Sequence, residues 1–593
     1  MSQQSWIGIF LITLLMFLWV LWIGYTSMPS ATSDTPPKTQ DTTHSRLPLS
    51  RSGILVQPNS PLDSAARVAR YGPYAPYTLG KDSLFTVETA VAKWTFGTRG
   101  ARLHKQELKL FSTPKGTPVT LWDSTQRESF TFAEGRNILS SEELFFTLIH
   151  APDKPLIHLS DSVVFRVSFS PDTFLQVTYR LHPSVYRIER EIKFQGLAGR
   201  LRNPYLLHTI TYHTPQTESS TELVKPYCAL YYRQADEVEM ISPDEEESIQ
   251  KALQGRIRWV SAKGQFFCAL FQGEQAFSAA NLTAFPFTNL PAYQVQLQLP
   301  LTGEVARETW YLGPTRYTLL RSYDEMYERQ LELGWGFIRY INTAFIIPCF
   351  ALLEKFIDSY GIIISILAIL VKIVLSPLTW RSYLLGVRMQ VVNELPEVKA
   401  LEEKYKDQPD KLMLEKSLLY RQLGINPLSG CVPLLLQIPI FFAMTSFFPN
   451  AFELRQQRFL WANDLSSYDA LIKWGLEIPL IGDHISLFAL LTTLSMVAYA
   501  HFTQQNQTTA YPALKWLPYL TPFIFFLFLN EYSAALSWYY FVLNMLTIVQ
   551  IGVMKRFTNK EKLIQKLREI QRRKPNKAAL AQQRERLRKW FKK

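Results

Sequence analysis

Cysteine is scarce: Cys228, Cys268, Cys349 and Cys431 are the only four in 593 residues, too few for a disulfide framework. Cys349 and Cys431 fall in apolar stretches, and spacing alone leaves open whether Cys228 and Cys268 pair. Also missing are zinc-ligand spacing, a phosphate-binding glycine loop, HExxH and GxSxG. The reading is therefore a protein that is not an enzyme, with no metal and no cofactor. Acidic residues are absent from the long apolar runs, which argues against a proton-coupled pump, and no inverted repeat points to a secondary transporter. The first apolar run, Trp6–Tyr25, has no basic residues before it, which favours an uncleaved anchor over a signal peptide.

What is present is apolar length. A helix needs about 20 apolar residues to cross a ~30 Å hydrocarbon core. Trp6–Tyr25, Gly361–Trp380, Leu428–Phe448, Ile485–Thr503, Trp516–Leu529 and Ala534–Met554 are the candidates; the fifth is short, with a start kinked by Pro518 and Pro522. Net charge is +13, and residues 555–593 carry all of it, with 16 Lys/Arg against three Glu. Such a tail favours polyanions, either nucleic acid or anionic lipid. The positive-inside rule keeps it cytoplasmic. Counting back, Tyr383–Asn426 is cytoplasmic, Pro449–His484 is external and slightly acidic, and six spans leave the N-terminus inside and residues 26–330 outside.

The expected organisation is an anchor at 1–25, a flexible Pro/Ser/Thr-rich linker at 26–82 and a β domain at 83–330. An interfacial helix at 331–358 follows, then a five-helix core at 359–555 with a cytoplasmic helical hairpin at 383–424, and the basic tail at 556–593. In the β domain, runs such as Phe85–Val91, Val163–Phe169, Leu175–Leu181 and Tyr293–Leu299 alternate with period two, as half-buried strands do. The fold class is a polytopic α-helical membrane protein with an all-β, sandwich-like external domain. In the hairpin, Arg388–Leu423 reads as two amphipathic helices, with Val391, Leu395, Val398 and Tyr405 on one face and a turn at Lys406–Asp410. Leu331–Phe356 mixes Trp, Phe and Ile with Glu332, Arg339, Glu354 and Lys355, as a helix lying along a membrane surface does.

Lys372 is the most informative residue. It lies about 12 Å inside one end of its span, where a charge costs at least ~2.5 kcal/mol unless it faces protein or water. Ser365, Ser376 and Thr379 share its helical face. Thr492, Ser495, Tyr499 and Thr503 stripe another span, Ser537, Tyr540, Asn544 and Thr547 the last, and Gln437 stands alone in the third. A cation among hydroxyls and amides points to a hydrated groove, for which the candidate residues are Lys372, Ser376, Gln437, Thr492, Ser495, Tyr540 and Asn544. The bland alternative is a snorkelling lysine with ordinary interhelical hydrogen bonds.

Several segments resemble the YidC-type insertases: "GIIISILAILVKIVLSPLTWRSYLLGVRMQ", "GINPLSGCVPLLLQIPIFFAM", "FELRQQRFLWANDLSSYD" and "LSWYYFVLNMLTIVQ". The β domain resembles the family more loosely, through "FTVETAVAKWTFGTRGARLHKQEL", "RWVSAKGQFFCALF" and "ETWYLGP". The resemblance covers about residues 84–555. It implies a bacterial inner-membrane protein whose β domain is periplasmic and whose two termini are cytoplasmic. It implies an insertase and chaperone for nascent membrane proteins, working alone or beside a Sec-type translocon, with ribosome and anionic lipid as further partners and no small-molecule substrate. Lys372 takes the family's cationic groove position, usually Arg, and so loses the bidentate fork. The small pair before the last span, commonly Ser-Gly, reads Ala534-Ala535 here. The competing readings are a transporter or channel with a cationic site, and an assembly scaffold.

Overall fold

The computed structural model describes residues 64–558, apart from 136, 288, 406–407, 409–410, 413–414, 417, 420–431, 479–480 and 505–516, and also residue 565. The anchor at 1–25, most of the linker, the hairpin turn Lys406–Asp410 apart from Gln408, Cys431 and the basic tail beyond 558, save residue 565, lie outside the described residues. Two compact units divide the chain between Gln330 and Leu331.

The first unit is built mainly of β-strands. A four-stranded sheet, β1 (Leu84–Glu88), β2 (Ala92–Gly97), β3 (Arg102–Ser112) and β4 (Pro118–Trp122), pairs in sequence order. The expected strand at Phe85–Val91 is cut at Glu88, because the Thr89 N–H turns back to the Ala92 carbonyl at 2.8 Å and starts a hairpin. A second, larger sheet is likewise antiparallel. Its central strands are β5 (Arg127–Glu134), β6 (Tyr205–His213), β7 (Ala292–Pro300), β8 (Phe267–Ala284), β9 (Val305–Pro314) and β10 (Arg187–Gln195), adjacent in that order. Every second residue of β6, β7 and β10 is buried, the pattern that alternating side chains impose on a sheet with one covered face. The two sheets meet through aromatic rings, Trp122 on Trp310 at 5.5 Å and Phe96 on Tyr179 at 4.8 Å. Gln106 also donates across to the Leu312 carbonyl. The result is a sandwich.

The linker reading is corrected at its end. Residues Ser64–Tyr71 form a helix, α1, and Gly72–Thr78 a 3-10 turn. Pro, Ser and Thr dominate the composition upstream, but here Tyr71, Tyr74 and Tyr77 supply apolar area to bury. Tyr74 and Tyr77 clasp the Phe169 ring edge-on at 4.8 and 4.9 Å, and Arg70 pairs with Glu143. Cys228 and Cys268 are free, buried thiols.

The second unit is helical. Its members are α2 (Gly336–Leu353), α3 (Tyr360–Asn393), α4 (Pro396–Lys404), α5 (Val432–Asn450), α6 (Leu487–Gln504), α7 (Leu517–Asn530) and α8 (Ala534–Phe557). Among the described residues, α2, α3 and α8 are long and apolar enough to cross a membrane, and shorter apolar helices lie at Leu487–Phe502 and Tyr519–Asn530. The hairpin is corrected in one respect. Its expected first helix, from Arg388, is no separate element, because α3 runs 34 residues without a break to Asn393. The break comes where Pro396 opens α4, since proline holds the preceding Leu395 extended. Val387, Val391, Val392, Leu395 and Val398 form a small core there, with Leu419 packed on it.

Helix α2 contains a π-helical turn at Asn342–Ile346. It crosses α5 steeply: Trp335 touches Phe442 and Phe350 touches Phe447, with rings 5.5 and 5.4 Å apart. About 22 Å of α2 thus spans only about 7.5 Å of α5. Such a crossing is what a helix lying in the membrane surface needs, although length and hydropathy alone would let α2 span. Its exposed face carries Trp335, Phe337, Tyr340 and Leu352.

Candidate functional site

The bundle is tied together at the end where α3, α6 and α8 begin. Ser486 caps α6, its Oγ accepting from the Ala489 N–H at 3.1 Å, while Asp469 accepts from the Phe488 N–H at 2.9 Å and the Trp461 indole at 2.7 Å. Buried Asn530, closing α7, accepts from the Ser486 N–H and donates to the carbonyls of Ile481 and His484. The first N–H groups of α8, at Ala534 and Ala535, donate to the loop carbonyls of Ser467 and Leu465 at 2.7 and 3.0 Å. Orphan helix-end donors are thereby satisfied by the loop rather than by water. Gly361 has no side chain because Phe459 lies on it, where a Cβ would meet the ring at 2.1 Å.

Further along, α3 and α8 run side by side in one direction. The Trp538 indole donates to the Gly361 carbonyl and to Ser365 Oγ, both at 3.0 Å, and Gln550 Nε2 donates to Thr379 Oγ1 at 2.9 Å. Interpolation between these ties puts Lys372 level with the Asn544–Thr547 turn. It lies about 18 Å from the Tyr360 end of α3, near mid-depth of a ~30 Å core. Lys372 is half-buried and, among the described residues, has neither a hydrogen-bond nor an ion-pair partner. Ser376 follows one turn on.

The other candidates divide into two groups. Thr492 Oγ1 donates to the Ser537 carbonyl at 2.7 Å, and Asn544 Nδ2 donates to Ser495 Oγ at 3.0 Å, so these residues join α6 to α8. Thr492 is fully buried, and Ser495 and Asn544 nearly so. Tyr540 is also buried, against Phe441, and among the described residues its hydroxyl has no partner. Gln437, one turn from Phe441, is exposed. The structure thus joins Ser495 to Asn544, brings Lys372 on α3 level with that turn by helical rise, and leaves Gln437 exposed on α5. Gln550 is the polar residue that stripe reading passed over.

These features define a class: a multi-span helical membrane protein with a self-contained β-sandwich domain and a lysine inside an apolar helix. The family model described as YidC periplasmic domain matches residues 84–346, and that described as 60Kd inner membrane protein matches residues 352–562. A protein of Parabacteroides distasonis named membrane protein insertase YidC is 34% identical, the match covering 86% of this chain and 83% of that one. Its namesake in Amoebophilus asiaticus is 31% identical over 96% and 94%. A crystal structure titled active YidC insertase, 16% identical, aligns with a TM-score of 0.31 over 81% of this chain and 94% of that one. The chain belongs to the YidC family of membrane protein insertases, a family of inserters rather than enzymes, with the β domain periplasmic and the helical unit in the inner membrane.

Proposed function

We propose that this protein inserts nascent membrane proteins through a polar groove whose charged element is Lys372. The observation that carries this reading is a mid-depth lysine with no partner among the described residues. A cation left unsatisfied in hydrocarbon is costly, and water or a client's acidic flank satisfies it. Ser376 and Gln437 extend the polar lining, while Thr492, Ser495 and Asn544, already bonded, hold the α6–α8 seam and Tyr540 is packed in the interior. The hydrophilic flank of a client enters partway without complete desolvation. Its apolar span then moves into lipid, gaining about 0.8 kcal/mol per buried CH₂. No covalent step and no nucleotide are needed. In this scheme both termini are cytoplasmic, and the protein works alone or beside a Sec-type translocon, also assisting folding as a chaperone.

The test is photocrosslinking from positions 376 and 437 to a ribosome-bound nascent membrane protein. Adducts to the client's span are expected from both positions, with none from a lipid-facing control at Val549. Silence at both, with the protein folded and ribosomes bound, would remove the groove. The basic tail gives the second arm of the proposal, docking to rRNA phosphates with contact to anionic lipid. Deleting residues 559–593 is expected to abolish the salt-sensitive part of ribosome cosedimentation; unchanged cosedimentation would reject that role.

A further inference from the structure

Gln550 reaches across from α8 to both sides of a proline. Its Nε2 donates to Thr379 Oγ1 at 2.9 Å and to Ser376 Oγ at 3.4 Å. Between those hydroxyls lies Pro377, the proline inside α3. Proline has no N–H, so the Ile373 carbonyl loses its helical donor, and the pyrrolidine ring crowds that turn. Helices bend at such points. Thr379 Oγ1 donates its own proton back to the Ser376 carbonyl at 3.0 Å, leaving its lone pairs free to accept from Gln550. Toward the Tyr360 end, Trp538 supplies a second tie between α3 and α8. Lys372 lies between the two ties, one turn before Ser376. Beyond Pro377 the same helix continues to Asn393 and the α4 hairpin.

We propose that Gln550 is a positioning residue that splints the Pro377 hinge. It fixes the angle between the half of α3 that carries Lys372 and the half that carries the hairpin. A hinge held by two neutral hydrogen bonds is displaced about three- to tenfold when they are lost. The geometry stands by itself, while the consequence for insertion rests on the groove reading above. In that reading the splint transmits hairpin movement to the depth and azimuth of Lys372.

The experiment uses the full-length protein in liposomes, with its native cysteines replaced and nitroxides at Lys399→Cys on α4 and Val553→Cys on α8. Both native side chains at these positions are exposed. Distance distributions and client insertion rates are measured for Gln550→Met, which nearly conserves volume, for the Ser376→Ala/Thr379→Ala pair, and for the triple variant. The expected result is a broadened distribution and a three- to tenfold slower insertion in the first two, with no further change in the triple. An unchanged distribution in Gln550→Met overturns the proposal. So does slowed insertion in Gln550→Met alongside wild-type behaviour of the hydroxyl pair, because Gln550 would then act on the client directly. If the distribution broadens while Lys372→Glu inserts normally, the hinge stands and the groove reading falls.

Discussion

Arg190→Met is expected to destabilise the periplasmic domain by about 3–5 kcal/mol, the cost of leaving buried charge without its partner. Arg190 lies at the centre of a quartet sealed inside the sandwich. It pairs with Glu128 at 2.8 Å and Glu308 at 2.6 Å, while His208 approaches Glu308 at 3.0 Å. The guanidinium sits over the Trp310 ring and His208 stacks on it. With Arg190 and His208 positive and both glutamates negative, the quartet is neutral. Removing Arg190 leaves two buried carboxylates sharing one imidazolium. For a domain of this size the midpoint is expected to fall by roughly 6–20 °C, measured by calorimetry on the full-length protein in detergent. A midpoint within a degree of wild type would show that the quartet contributes nothing net. The pH profile is a second reading of the same prediction. Burial works to raise the Glu308 pKa, but the charges of Arg190 and His208 overcome it and bring it down to about 2. Burial works to lower that of His208, and Glu308 together with hydrogen bonds to both glutamates raises it instead. A lowered carboxylate contributes stability above its ordinary pKa of about 4.5 and loses it as pH falls toward 2. A raised histidine contributes fully below about 6.5 and loses its contribution as pH rises through the elevated value. Stability should therefore be greatest between those limits and fall on both sides, and Arg190→Met should flatten the acid limb.

Lys372→Glu is expected to slow insertion of clients with acidic flanks by tenfold or more, while Lys372→Arg keeps most of the activity. Two charges about 4 Å apart at an effective dielectric near 20 interact by roughly 4 kcal/mol, so reversing the sign turns attraction into repulsion of similar size. Arginine restores the cation and adds the planar fork. The check is an insertion assay in proteoliposomes with clients matched except for flank charge, which separates electrostatic attraction from general damage. Equal slowing of acidic and neutral flanks would make Lys372 a packing residue. Wild-type rates for both would leave it without a role in insertion.

The legibility of these two sites in the sequence differs for a physical reason. A lysine inside an uncharged apolar run announces itself, and so Lys372 was readable. Arg190 is legible only through strand parity, because a charged residue on a strand ordinarily belongs to the wet face. The parity says otherwise: Arg190 alternates in step with Ile188 and Ile192, Glu128 with Phe130 and Phe132, His208 with Leu206 and Ile210, and Glu308 with Ala306 and Trp310. Four ionisable groups in the apolar phase of four strands is a signal for a buried network. Gln550 had no such signal, since an amide near the last turns of a final helix also reads as the membrane boundary. Its importance appears only when α3 supplies Ser376 and Thr379 opposite. The ordered stretch Ser64–Thr78 was hidden by averaging, because a proline- and serine-rich window diluted three tyrosines that have Phe169 and Glu143 to pack on.

The loop that knots the starts of α6 and α8 to the end of α7 makes the helical unit, among its described residues, mechanically lopsided. At the end where α6 and α8 begin, side chains and backbone are cross-linked through Asp469, Ser486 and Asn530; further along, the Gln550 amide spans α3 and α8 beside a proline. Tweezers are built this way, welded at one end and sprung at the other. Under the groove proposal, thermal bending of such a bundle would part the tips and leave the weld shut, so that a protein segment would be admitted sideways without a through-hole for ions.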